Sequence, residues 1–107
     1  MFDWYRRWRF WRTYPKHLPH PGSREFLDTY EWAELRYDAL KKYGGTCKAC
    51  GIRAGMIGDD GRPAVINVDH IKNRCDWPHL ALELTNTQPL CHLCNKGKSN
   101  RDSTDWR

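Results

Sequence analysis

The clearest secondary-structure pattern in the chain is a helical one over residues 31–43. Hydrophobic side chains recur there at three- and four-residue intervals, which places them along one face of a helix. They are Trp32, Leu35, Ala39, Leu40 and Tyr43. Asp28, with Glu31 three residues later, predicts a capping box at the start, and Gly44 predicts the end. We expect this face to belong to the hydrophobic core.

Two shorter segments have the composition of β-strands. Residues 52–57 and 64–68 flank a turn at residues 59–61, and this arrangement predicts a β-hairpin. The second segment leads directly into Asp69 and His70, so these two polar residues are expected at the end of a strand.

The remaining elements are predicted to be short. Residues 88–90 predict a strand, and a final short helix is expected from Cys94 onward. Residues 72–84 are expected to be irregular, and the polar tail from Arg101 is expected to fray. The chain is therefore predicted to be a small α+β domain with additional helices on its N-terminal side.

The first 22 residues form an arm with a different composition. Its aromatic side chains, half of those in the chain, are Phe2, Trp4, Tyr5, Trp8, Phe10, Trp11 and Tyr14. Trp4, Trp8 and Trp11 have the spacing of one helix face, and three prolines within residues 15–22 predict a linker after it. In one interpretation the helix docks its aromatics on the body of the protein.

A second interpretation of the arm is compatible with the first. Five basic residues and a single acid lie among the aromatics, which suits contact with a polyanion. Arg6, Arg9 and Arg12 would then contact phosphates, while the rings pack or stack on nucleic acid.

The length and the net charge of the chain limit the number of domains and the kinds of partner that we expect. The chain has 107 residues, a formal net charge of +5 and a pI of about 9.1. This length corresponds to one domain, divided here into the arm (residues 1–22) and a body (residues 23–107). The charge is consistent with a nucleic-acid partner or simply with a soluble basic surface. No apolar run approaches the roughly 20 residues of a membrane span, and we expect no membrane association.

Four of the five cysteines form two Cys-x-x-Cys pairs, Cys47 with Cys50 and Cys91 with Cys94. Such turns let two thiolates converge on one ion, and two turns complete the tetrahedral set that structural zinc prefers. Disulfides or a redox pair are the alternatives, but we expect thiolates in a reducing, cytoplasmic compartment. Cys75 is left over as a free thiol, and His92 could compete as a ligand.

A second constellation lies inside and just after this cysteine set. Asp69 and His70 are adjacent at a strand end, so their side chains point to opposite sides. A lone Asp-His pair is weak evidence for a site, because such a histidine is often structural. Asn86, shortly before the second cysteine pair, and Asn95, directly after it, strengthen the case. Zinc would tie the strand that carries Asp69 to the helix that carries Asn95.

These pieces, in this order, resemble the HNH endonuclease family, in its four-cysteine zinc subgroup. The matching residues are Trp32, Leu35, Arg36, Tyr43 to Cys50, Val68 to Ile71, Asn86, Gln88, Leu90, Cys91, Cys94, Asn95 and Lys98. The resemblance covers about two thirds of the chain, and the ordered set is more specific than any one piece. It implies a ββα-metal (His-Me finger) fold, in which two strands and a helix surround one divalent ion beside a four-cysteine zinc.

The resemblance also implies roles for individual residues. His70 is the expected general base, Asn86 orders the loop and helps to orient that base, and Asp69 binds the metal. Asn95 stands where the family name has its second histidine. Because Asp69 and Asn95 both offer oxygen, the catalytic ion is expected to be Mg²⁺ or Mn²⁺.

Two lysines near the start of the final helix complete the predicted site. Lys96 and Lys98 are expected to contact phosphate, and the alternative is that both are solvated surface lysines.

The expected function is therefore metal-dependent hydrolysis of DNA phosphodiester bonds, by nicking or by double-strand cleavage. The alternative is a non-catalytic zinc-ribbon DNA-binding module or an accessory subunit. DNA is the expected partner, and other proteins of a DNA-processing machine are further candidate partners. The chain is expected to act as a monomer or dimer. Free-standing HNH proteins of this small size often resemble phage-encoded HNH proteins. If this chain is phage-encoded, its expected location is the host cytosol.

Overall fold

The computed structural model describes residues 3–99 and 101–107. Within them the chain forms three α-helices and one antiparallel two-stranded sheet, which confirms the α+β class. The elements are α1 (Asp3–Thr13), α2 (Tyr30–Tyr43), β1 (Ile66–His70), β2 (Thr87–Cys91) and α3 (His92–Lys98). Phe2, counted with the arm, and Asn100, at the end of the predicted final helix, lie outside the described residues.

Helix α2 is the predicted central helix, but its cap differs from the prediction. Thr29 is the N-cap, and its side chain accepts a hydrogen bond of 3.2 Å from the amide of Trp32. Asp28 instead ends a short 3-10 turn, so the predicted capping box of Asp28 and Glu31 is wrong. The threonine hydroxyl accepts from the free amide in place of a carboxylate. The predicted end is confirmed, since Gly44 follows the helix with a φ of 86°.

The apolar face of α2 packs into the main core, as expected. Trp32 and Ala39 are buried with Phe26, Val68 and Ala81. A second buried cluster lies towards the other end of the sheet, and it consists of Cys47, Ile66, Leu90 and Cys91. The cysteine turns are therefore part of the hydrophobic packing, and the sheet contacts both α2 and α3.

The strand partner of β1 is not the one predicted. Residues 52–57 form only isolated bridges, one of which pairs Ile57 with Pro63. β1 pairs instead with β2, so that Asp69 lies opposite Gln88 and His70 lies opposite Thr87. The predicted hairpin therefore forms only around its turn, where the amide of Gly58 donates to the carbonyl of Arg62 and the amide of Ala64 donates to that of Met56. The segment between the strands is irregular, as expected, with short 3-10 turns at residues 78–80 and 84–86.

Helix α3 begins earlier than predicted and the tail after it is ordered against the body. The helix starts at His92, with Cys91 as its N-cap, so Asn95 lies in its middle. Gln88 donates to the carbonyl of Thr104 at 2.9 Å and accepts from the amide of Trp106 at 2.9 Å. The prediction of a frayed tail is wrong because a buried side chain of β2 hydrogen-bonds the tail backbone.

The arm begins with a helix, as predicted, but its tryptophans do not dock on the body. Helix α1 packs against the turn at residues 78–80, where Asp3 Oδ1 lies 3.2 Å from His79 Nε2. Its tryptophans are exposed, by 69% at Trp4, 52% at Trp8 and 43% at Trp11. Across residues 3–99 and 101–107, every helix is too short or too polar to cross a membrane.

Candidate functional site

The four paired cysteines form one cluster that could hold a metal ion such as zinc. Their sulfur atoms all lie within 4.8 Å of one another. Cys50 Sγ lies 3.8 Å from Cys91 Sγ. A tetrahedral zinc with sulfur ligands at about 2.3 Å places those ligands about 3.8 Å apart, so the arrangement fits the ion.

Local turn geometry aims the sulfurs at a common point. In each pair the first sulfur accepts the amide hydrogen of the second cysteine, at 3.5 Å for Cys47 and 3.4 Å for Cys91. Burial raises the pKa of Cys47, but backbone amides outweigh it and lower that pKa to about 6. Burial and the neighbouring thiols raise the pKa of Cys94. Four thiols this close cannot all ionise without a cation, so a divalent ion is the natural partner of the cluster.

The remaining thiol and the nearby histidine lie outside this cluster. His92 Nδ1 accepts from the amide of Val65 at 3.1 Å, and its Nε2 donates to Asp60 Oδ2 at 2.8 Å. His92 therefore holds the loop before β1 rather than competing as a ligand. Cys75 is exposed, and its Sγ lies 3.8 Å from the carbonyl oxygen of Gly22.

His70, at the end of β1, is buried and held on two sides. Its ring stacks on Trp32 with centroids 4.7 Å apart, and Nε2 lies 2.8 Å from the carbonyl oxygen of Ala81. Because a carbonyl only accepts, Nε2 carries the proton and Nδ1 has the free lone pair. Burial lowers the pKa of His70 to about 4, so the ring is neutral at pH 7.

Asn86 stabilises the loop whose Ala81 carbonyl accepts the hydrogen bond from His70. Its side-chain oxygen accepts from the amide of Lys72 at 2.9 Å, and its nitrogen donates to the carbonyls of Lys72 and Leu80 at 3.0 and 3.2 Å. These bonds join the chain just after β1 to the residue preceding Ala81. Asn86 thus acts on His70 through the backbone, without touching the ring.

Asp69 points away from His70 and lies in a buried polar network. Its Oδ2 accepts from Gln88 Nε2 at 3.1 Å and lies 3.2 Å from Lys98 Nζ. Lys98 Nζ also donates to the carbonyl of His70 at 3.1 Å. Burial raises the pKa of Asp69, while Gln88 and Lys98 act in the opposite direction.

The structure places Lys98 differently from the sequence prediction. Its side chain is only 5% exposed, and its ammonium neutralises Asp69 instead of facing a solvent phosphate. Lys96, in contrast, is exposed at the rim of the cavity described next.

A cavity of about 450 Å³ brings four of the predicted site residues together, but not Asn86 or Lys98. Asp69 and His70 from β1 line it with Asn95 from α3, and Arg36 and Lys96 supply positive charge. The oxygen donors of Asp69 and Asn95 fit Mg²⁺ or Mn²⁺. Lys98 already contributes one positive charge at Asp69, so a divalent ion would share that carboxylate with the ammonium or displace it.

The three arm arginines lie away from this cavity. Arg6 and Arg9 line a separate cavity of about 520 Å³, together with His79. The guanidinium of Arg12 lies over the ring of Trp8, 5.2 Å from its centroid.

Gln88 belongs to the site, although the sequence analysis gave it no role there. It is fully buried, and its single amide group joins Asp69, Thr104 and Trp106. A glutamine within a predicted strand was the available signal, but its partners come from β1 and from the tail. Gln88 thus connects the end of the chain to the carboxylate of the site.

We expect Gln88→Leu to lower the free energy of unfolding by about 1–3 kcal/mol, because it leaves buried partners unsatisfied. Urea denaturation followed by circular dichroism measures this. Thr104→Ala is the matched control, since the tail is held through the Thr104 carbonyl, and it should change stability by less than about 0.5 kcal/mol. Equal stability of Gln88→Leu and the unaltered protein would contradict this account of the network.

Comparison with known proteins gives no further guide to the site: no family model, curated protein or solved structure matches the chain.

Proposed function

We propose that the chain is a metal-dependent endonuclease of the HNH type, which hydrolyses DNA phosphodiester bonds. In this proposal β1, β2 and α3 are the ββα-metal unit, and the four cysteines hold a structural zinc. The supporting observation is the arrangement at the end of β1. A neutral imidazole with a free Nδ1 and a buried carboxylate, adjacent in sequence, line one cavity with the amide of Asn95.

His70 is the proposed general base. Its Nδ1 takes a proton from a water molecule, whose oxygen attacks the phosphorus as the bond to the 3′ oxygen breaks. The departing 3′ oxygen takes a proton from solvent, so the products would be a 5′-phosphate and a 3′-hydroxyl. The negative charge of a bound phosphate stabilises the imidazolium, which makes the ring a stronger base in the complex than in the free protein. Trp32 and the Ala81 carbonyl restrict the ring to one orientation.

Asp69 and Asn95 are the proposed ligands of Mg²⁺ or Mn²⁺. When bound, such an ion polarises a phosphate oxygen and stabilises the departing oxygen. Gln88 fixes the orientation of Asp69, and Lys98 limits the charge that accumulates there. Arg36 and Lys96 at the cavity would attract the DNA backbone.

Incubation of supercoiled plasmid with the protein and a panel of divalent metals tests the proposal. We expect open-circular DNA with Mg²⁺ or Mn²⁺, and linear DNA where nicks coincide or two sites act together. Omission of the added metal should abolish product. The other candidate, a non-catalytic zinc-ribbon DNA-binding or accessory subunit, is favoured by the Lys98 ammonium at Asp69. That candidate predicts plasmid binding in a gel-shift assay but no cleavage with any metal.

A further inference from the structure

A cavity of about 520 Å³ lies between helix α1 and the body of the protein. Its lining residues on α1 have the three- and four-residue spacing of one helix face. They are Arg6, Arg9, Phe10 and Thr13. The opposite wall is formed within residues 79–85, a segment that also contains Ala81. The cavity therefore lies between the arm and the loop whose Ala81 carbonyl contacts His70.

Two guanidinium groups give this cavity a positive wall. Arg6 and Arg9 are exposed, and in the part of the chain that the structure describes neither forms an ion pair with a carboxylate. Arg7 is paired instead, since its Nε lies 2.9 Å from Asp3 Oδ2. Glu83 is the one acid among the lining residues. The cavity can therefore attract an anion, because its positive charges outnumber its negative one.

The wall opposite the arginines contains a buried imidazole with an unsatisfied nitrogen. The side chain of His79 is only 5% exposed, and its Nδ1 has no hydrogen-bond partner among the described residues. Asp3 Oδ1 lies 3.2 Å from Nε2, and a carboxylate only accepts, so the ring proton belongs on Nε2. Burial lowers the pKa of His79, with Asp3 opposing this shift and positive charges on α1 adding to it. The ring is therefore neutral at pH 7, and Nδ1 is a buried acceptor without a donor.

This combination of charges and acceptors selects a class of ligand. The arginines bind anionic oxygens, whereas His79 Nδ1 and the Glu83 carboxylate accept hydrogen bonds. A matching ligand carries both negative charge and a hydroxyl group. Inorganic phosphate at pH 7 has both, and arginine is a usual partner of phosphate. Phosphate monoesters, with a second pKa of about 6, have mostly lost that hydroxyl proton at pH 7, and sulfate and phosphodiesters have none.

We propose that this cavity binds inorganic hydrogen phosphate, with Arg6 and Arg9 on its charged oxygens and His79 Nδ1 accepting from its hydroxyl group. Bound phosphate would join α1 to the segment that contains Ala81, and so hold the arm against the body. The inference does not depend on the proposed nuclease activity. The cavity is separate from the one that His70 lines, and binding is measured without DNA.

Isothermal titration calorimetry of the full chain with inorganic phosphate at pH 7 tests the proposal, and sulfate and phenyl phosphate are the comparison anions. We expect phosphate to bind at least about tenfold more tightly than sulfate, which leaves the buried acceptor unpaired. Arg9→Gln should weaken phosphate binding at least about tenfold, because it removes a charge-assisted contact. Arg12→Gln is the matched control, since Arg12 is exposed on the same helix but lies over the Trp8 ring. It should change the affinity less than about twofold.

His79→Phe tests the acceptor separately from the charge. Phenylalanine keeps an aromatic ring in the buried position but has no nitrogen. The preference for phosphate over sulfate should therefore fall to less than about twofold. A merely disturbed cavity wall would weaken the binding of both anions alike and leave their ratio unchanged, which would contradict the assigned role of His79.

Other results would also overturn the inference. Equal affinity of the unaltered protein for phosphate and sulfate would make the cavity an unselective positive surface. Loss of phosphate binding in Arg36→Gln but not in Arg9→Gln would place the anion in the cavity that His70 lines. Tighter binding of phenyl phosphate than of inorganic phosphate would show that the hydroxyl group is not recognised. Plasmid cleavage without phosphate binding would keep the proposed nuclease and remove this site, whereas phosphate binding without cleavage would do the reverse.

Discussion

Cys47→Ser and Cys94→Ser are expected to unfold the protein rather than weaken it. The cluster joins the turn after α2 to the end of β2 and the start of α3. Zinc binding in small domains contributes about 10–16 kcal/mol of apparent free energy, which is comparable to the typical stability of a whole domain of about 5–15 kcal/mol. Loss of one ligand should therefore leave too little stability for the native state. Circular dichroism measures the loss of structure in the variants. Metal analysis measures the loss of the ion, and it should find one zinc per chain in the unaltered protein.

Cys75→Ser is the matched control for these cysteine variants. Cys75 is exposed and lies outside the cluster, so its substitution should change stability by no more than about 0.5 kcal/mol and leave zinc content unchanged. A soluble, folded Cys94→Ser protein without zinc would show that the hydrophobic packing around Ile66 and Leu90 suffices without the ion.

His70→Ala is expected to reduce plasmid nicking by about 10²–10⁴-fold, the usual contribution of a general base. Alanine also leaves a cavity beside Trp32 and removes the donor to the Ala81 carbonyl. His70→Gln is therefore the companion variant, because its amide can still donate to that carbonyl but cannot take up the proton. Both variants should retain zinc, which separates loss of chemistry from loss of fold.

His17→Ala provides the matched control for activity. His17 has a side chain 73% exposed and lies on the segment after α1, so nicking should be unchanged. Wild-type nicking by His70→Ala would show that another group activates the water, and the assignment of the base would have to be abandoned.

Local patterns were sufficient to predict the helices but not the pairing of the sheet. The stripe of α2 and the glycine after it are properties of neighbouring residues, and both predictions are confirmed. The hairpin prediction was correct only around its turn, because β1 pairs along its length with β2, the strand that buries Leu90 and Cys91. Strand pairing is decided by such distant contacts, which periodicity does not encode.

The candidate site could likewise be predicted only in part. Spacing predicted the cysteine cluster, and motif order predicted that Asp69, His70 and Asn95 come together at one cavity, although Asn86 does not line it. The Ala81 carbonyl, Gln88 and the buried position of Lys98 could not be predicted, because each depends on how a loop or tail folds back. Lys98 in particular lies in a polar stretch of sequence that is typical of a protein surface, yet its side chain is buried.

The sheet that carries Asp69 and His70 has only five residues in each strand, so few hydrogen bonds fix the register of its strands. Sliding β1 by one position would turn the imidazole towards α3 and the carboxylate towards α2, since neighbouring residues face opposite sides. Cys91 ends β2 opposite Ile66, at the far end of the ladder from His70. An ion held by that cysteine would therefore fix the register of the two strands from a distance, and with it the side of the sheet that each of these two adjacent side chains faces.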